Sequence, residues 1–297
     1  MNNYLKFAIV GSFFSLWIAS FLSHQIQLIL GFLLIFTFGI MHGANDIVLI
    51  KSINKTSKTK SFFKILCYYI VFVLLGLFAF YVYPLISLLL FIIASGYHFG
   101  EQHWEHIDYI KTELKIVINI IYGTFILLLL FYFHQTEVKE IVFAITNFNI
   151  SLSIIPLLLK IFTVLLVGAF GVLFYKYSEI KEQLFLEIFY LAVFAIIFAT
   201  SGLIWSFAIY FIIWHSIPSI IDQIKFIYGD NNLKNQKLYL KSGFLYWLFS
   251  LIGIALLYVL FKDEKIFNAL FFSFLAAITF PHVLVILKMF GKNKPNE

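Results

Sequence analysis

The chain has 297 residues, a net charge of +6, 62% hydrophobic and only 12% charged side chains, whereas a soluble domain carries roughly a quarter charged residues. Such a chain cannot dress a water-facing surface, so lipid must solvate most of its exterior, and long unbroken apolar runs select helices over a barrel. The net positive charge comes entirely from lysine, and the lack of arginine argues against nucleic acid as a partner.

Taken in order, the apolar runs predict an all-α, polytopic transmembrane bundle of about ten spans. They lie near 5–22, 25–50, 63–82, 85–103, 116–133, 153–175, 184–200, 203–225, 244–261 and 266–288. The second run is over-long and the fifth short, so eight to ten spans fit the pattern. The first run lacks a strongly basic leader and a small-residue cleavage site, and reads as a retained span. Cytoplasmic loops are enriched in lysine. Placing both termini inside puts 17 of the 21 lysines there, leaving Lys139, Lys160, Lys262 and Lys265 outside, with Lys160 snorkelling. This reads as one transmembrane domain over 1–290, with a disordered cytoplasmic tail at 291–297, in the inner membrane of a cell. Cys67, inside a span, reads as a small buried hydrophobe, and Trp104 and Trp205 as interface anchors.

Four of the eight histidines lie inside spans, His42 in the second, His98 in the fourth, His215 in the eighth and His282 in the tenth, while His103 sits at the cytoplasmic end of the fourth. All four spans descend toward the cytoplasm. At 1.5 Å per residue these histidines sit roughly 12, 8, 15 and 9 Å from the inner end, one layer about two helical turns thick. Ionisable groups at such depth are costly and face a bundle interior. Imidazoles from several helices can close on one metal ion. Asp46, four residues after His42, Glu101, three after His98, and Asp222, seven after His215, are placed to orient the second ring nitrogen. On the residues alone, separate interhelical hydrogen bonds and a proton or ion path stand beside the shared metal site.

The segments around these histidines read Met41-His42-Gly43-Ala44-Asn45-Asp46, Tyr97-His98-Phe99-Gly100-Glu101, Phe211-Ile212-Ile213-Trp214-His215-Ser216 and Thr279-Phe280-Pro281-His282. In this order, over roughly residues 35 to 290, they resemble the Brp/Blh-type β-carotene 15,15′-dioxygenases, membrane enzymes that make retinal. The resemblance implies Fe(2+) held by His42, His98 and His215, with His282 matching the histidine of the last motif. It also implies cleavage of the central double bond of β-carotene, or a related carotenoid, by O₂ to give retinal. Membrane lipid would deliver the substrate, and a retinal-binding protein would accept the product. Asp46 and Glu101 become the candidate catalytic carboxylates. Tyr97 and Trp214, each preceding a ligand, become candidate substrate contacts. One departure stands out. The family's third motif continues His-Ser-x-Arg-His, whereas this chain has His215-Ser216-Ile217-Pro218-Ser219, so Ser219 replaces an expected histidine, and His282, or less readily His103, is the candidate for a fourth ligand.

Four imidazoles would leave two octahedral positions open for O₂, as in non-haem oxygenases. The remaining readings are a family member that holds a carotenoid or retinal without cleaving it, which Ser219 and Pro218 would favour, and a transporter or proton conductor built on the buried His, Asp and Glu.

Overall fold

The computed structural model describes residues 3–53, 62–260 and 264–292. Among these residues there are helices and short connections only, with no strand. The helices are α1 (Asn3–Ala19), α2 (His24–Leu34), α3 (Ile40–Gly43), α4 (Asp46–Ile53), α5 (Phe62–Val82), α6 (Pro84–Trp104) and α7 (Thr112–Phe133). They continue as α8 (Gln135–Thr146), α9 (Ile154–Lys176), α10 (Lys181–Thr200), α11 (Leu203–Ile209), α12 (Ile217–Tyr228), α13 (Leu233–Leu260) and α14 (Glu264–Lys292). Two π turns, Ile35–Gly39 and Tyr210–Ser216, join α2 to α3 and α11 to α12.

Nine helical stretches of the described residues are long and apolar enough to cross a membrane, in keeping with a multi-pass membrane protein. The first run is shorter than expected. Its helix has 17 residues, about 26 Å at 1.5 Å each, short of the ~30 Å hydrocarbon core. The over-long second run is a composite of α2, a π turn, α3 and α4, broken at Ala44-Asn45. The stretch after α7, expected as a loop, carries α8. Its Val142 and Ile145 pack on Phe80, Leu88 and Ala276, and Asn147 ends it with a left-handed φ of 54°, a conformation asparagine tolerates. The lysines at 55, 58 and 60 and most of the expected tail lie outside the described residues.

The chain divides into two compact units that alternate along the sequence. The first comprises Met1–Ile35, Ser95–Glu140 and Asn149–Ser216. Its helices α6 and α7 meet backbone to backbone. A Cβ on Gly100 would lie 2.0 Å from the Asn119 carbonyl oxygen, and one on Gly123 would lie 1.8 Å from that of Gly96. In lipid there is no hydrophobic drive between helices, so small residues permitting close approach supply the packing. The second unit comprises Phe36–Ala94, Ile141–Phe148 and Ile217–Glu297. Its core sets Leu49 and Ile53 of α4 against Val285, Ile286, Met289 and Phe290 of α14. Large apolar side chains such as Phe78, Val164, Val167 and Phe249 point outward, as contact with acyl chains requires.

Three expectations change here. Cys67 is exposed on the outer face of α5 and is no core residue. Trp104 and Trp205 are buried, with Trp104 edge-on to Tyr122, so they pack the first unit and do not anchor it at an interface.

Candidate metal centre

In the second unit His42 and His282 stand edge to face, ring centroids 4.6 Å apart. The break at Ala44-Asn45 makes this possible. It frees backbone groups, and buried Asn45 holds the break by donating to the Tyr239 carbonyl at 3.0 Å while accepting from Ser242 at 2.6 Å. The carbonyl of His42 accepts from Gln223 Nε2 at 2.9 Å and from the Tyr239 hydroxyl at 3.3 Å. The ligand-bearing turn is thereby fixed at its backbone as well as its ring. Nδ1 of His42 meets the Gly39 carbonyl, which places the proton on Nδ1 and leaves the Nε2 lone pair for a metal.

Nδ1 of His282 lies 2.8 Å from Asp46 Oδ1, and the Tyr69 hydroxyl donates to Asp46 Oδ2 at 2.7 Å. A buried carboxylate accepting from both sides holds His282 in the same tautomer. Helical spacing had paired Asp46 with His42. The carboxylate instead serves His282, because the helix is interrupted at Ala44-Asn45 and Asp46 begins a new helix, with its carboxylate against α14. Pro281, inside α14, removes one backbone donor next to this histidine.

In the first unit His98 and His215 form a matching pair, with ring centroids 4.5 Å apart and planes at 78°. Phe99 covers His215 at 4.8 Å and Phe211 stacks on it at 5.6 Å. Glu101 Oε2 lies 3.6 Å from His98 Nδ1, as the spacing of three predicted, and Glu101 Oε1 accepts from the Tyr97 hydroxyl at 3.1 Å. Tyr97 therefore acts on Glu101. Trp214 is buried, edge-on to Phe194 at 4.9 Å, with its indole N–H on Ser12 Oγ at 2.9 Å, which makes it a packing residue of the first unit. His215 sits in a π turn, a rare geometry that recurs at functional sites. Pro218, the second residue of α12, follows that turn directly.

Ser219, in the place of the expected histidine, is buried and accepts from Gln223 Nε2 at 3.1 Å, tied to the same residue that grips the His42 carbonyl. His103 is occupied elsewhere: its Nδ1 lies 3.1 Å from Glu187 Oε2, which also accepts from Tyr122 at 2.5 Å, while Gln183 donates to Glu187 Oε1 at 2.6 Å. Sequence reasoning passed over Tyr69, Gln223, Tyr239 and Glu187. Glu187 was discoverable, being a lone carboxylate in an apolar run, where ionisable residues mark sites.

The donor set suits a metal. Buried imidazoles lie together in two pairs, and in one of them both rings carry an acceptor on Nδ1 that leaves Nε2 for a metal. A family model described as "Beta-carotene 15,15'-dioxygenase" matches residues 33–290. No curated protein and no solved structure matches the chain.

Proposed function

The chain belongs to the beta-carotene 15,15′-dioxygenase family, and from that premise we propose that it is an iron-dependent enzyme of the inner membrane, both termini cytoplasmic. It cleaves the central double bond of β-carotene, or a close carotenoid, with O₂. One C₄₀H₅₆ and one O₂ balance as two C₂₀H₂₈O retinal molecules. The observation that carries the reading is the pairing of four buried histidines, His42 with His282 and His98 with His215, the residues to which the sequence motifs assign the iron.

Iron held there would supply the activation of O₂. The chain's own residues do the rest. Gly39 and Asp46 hold protons on the Nδ1 atoms of His42 and His282, keeping Nε2 available, while the Glu101 carboxylate lies 3.6 Å from His98 Nδ1, where its charge orients the ring. Asp46 and Glu101 thus act as positioning residues, through histidines. Phe99 and Phe211 pack on His215, apolar cover of the kind that keeps water from a site. The polyene, already dissolved in the bilayer, reaches the helices without crossing water. A retinal-binding protein would take up the product.

The test is expression in bacteria that accumulate β-carotene, followed by pigment extraction. Loss of orange colour with retinal in roughly twofold molar yield is expected. Intact β-carotene beside folded, iron-loaded protein would end the proposal. Ser219 favours one second reading, a member that binds carotenoid without cleaving it. Cleavage seen only in Ser219→His would establish that reading.

A further inference from the structure

Helix α1 lies wholly ahead of the family-matched residues 33–290 and is too short to cross a bilayer comfortably. Its polar side chains converge on the turn that carries His215. The Tyr4 hydroxyl donates to the Ile213 carbonyl. Trp214 Nε1 donates to Ser12 Oγ at 2.9 Å, and that hydroxyl donates onward to the Ala8 carbonyl at 2.7 Å. Ser12 is 0% exposed, so its hydroxyl is satisfied only through this relay. Gly11 faces Ile213, whose Cδ1 would sit 3.5 Å from a Cβ there.

These contacts answer a local need. A π turn interrupts the i→i+4 ladder with an extra residue, and buried backbone acceptors need partners, from other elements where their own helix does not supply them. Ile213 and Trp214 are the two residues immediately before His215. Holding one by its carbonyl and the other by its indole fixes the direction in which the next side chain leaves the helix.

We propose that α1 is a brace that sets the position of His215, with Tyr4 and Ser12 as positioning residues for the metal centre. The proposal rests on the reading of His215 as an iron ligand. Ser15 provides an internal control, since its hydroxyl reaches only the Gly11 carbonyl of its own helix, at 2.7 Å.

The experiment uses full-length, metal-free protein in lipid nanodiscs. Hydrogen–deuterium exchange is followed in residues 210–216 and 203–209, iron(II) affinity by competition with a chelator, and the absorption spectrum after cobalt(II) loading. Loss of one such hydrogen bond corresponds to roughly 2- to 12-fold in an opening equilibrium. Tyr4→Phe and Ser12→Ala should each speed exchange in 210–216 by about that factor, spare 203–209, weaken iron(II) binding about 3- to 10-fold and shift the cobalt bands. Ser15→Ala should change none of these. Wild-type exchange and spectra in both variants, or equal effects from Ser15→Ala, would overturn the brace. Faster exchange in a chain whose wild type takes up no iron would sustain the brace and remove the iron reading. Should Ser12→Ala fail to fold, Tyr4→Phe decides alone.

Discussion

Replacing Asp46 by asparagine preserves volume and shape while changing what the site can accept. The wild-type carboxylate is 1% exposed and faces two donors, the Tyr69 hydroxyl at 2.7 Å and His282 Nδ1 at 2.8 Å. An amide has one carbonyl and one NH₂, so only one of those donors keeps an acceptor. If the NH₂ turns to His282, the imidazole must accept at Nδ1, its proton moves to Nε2, and the metal-binding lone pair is gone. If it turns to Tyr69, the hydroxyl must accept, its own proton loses the Asp46 acceptor, and His282 keeps only a neutral carbonyl in place of a carboxylate. Hydrogen bonds to charged groups are worth about 1.5–3 kcal/mol, and loss of a ligand's outer partner typically costs 10- to 100-fold in metal affinity. Asp46→Asn should therefore weaken iron(II) binding by about that range, or roughly 1.4–2.8 kcal/mol. Competition of metal-free protein against a chromophoric chelator measures it. Tyr69→Phe, which removes only the outer donor, should lose about 3- to 10-fold. An Asp46→Asn affinity within twofold of wild type, or a larger loss in Tyr69→Phe, would refute the reasoning.

Gly100→Ala puts a methyl 2.0 Å from the Asn119 carbonyl oxygen. The helices α6 and α7 must then part, and thermal unfolding should show a loss of about 3 kcal/mol or more. Ser219→His forces a ring into a buried position and breaks the Gln223 hydrogen bond; retinal yield should not rise, and a rise would count against His282 as the fourth ligand. At the end of α7, burial pushes the His134 pKa below its usual value, against the smaller opposite pull of Glu137. As pH falls below about 6.5, the unfolded chain takes up a proton that the folded chain resists, so stability declines in that direction. His134→Asn should flatten part of that slope in unfolding scans between pH 7.5 and 5.5.

The membrane-spanning character of the chain was legible because apolar length is a one-dimensional property. His42, His98, His215 and His282 were legible because imidazole is expensive in lipid and stands out against leucine and phenylalanine. What sits behind the histidines was not. Asp46 was assigned to His42 by helical spacing, yet the helix breaks between them, and a broken helix invalidates the spacing rule at that residue. Tyr69 lies on a different helix and looks like any other aromatic in an apolar run. Trp104 was read as an anchor from its place at the end of a span, although close packing of α6 on α7 through Gly96, Gly100 and Gly123 draws that end inward. The π turns left no trace in composition, since they reflect contacts such as Tyr4 to Ile213 and Trp247 to the Phe36 carbonyl that only tertiary structure creates.

Iron content of the purified protein against four single variants, His42→Ala, His98→Ala, His215→Ala and His282→Ala, addresses the assignment of both histidine pairs to one ion. A single shared site predicts one iron per wild-type chain and near-complete loss in every variant. Two irons per chain, or variants of one pair that leave the other pair's metal in place, would contradict it.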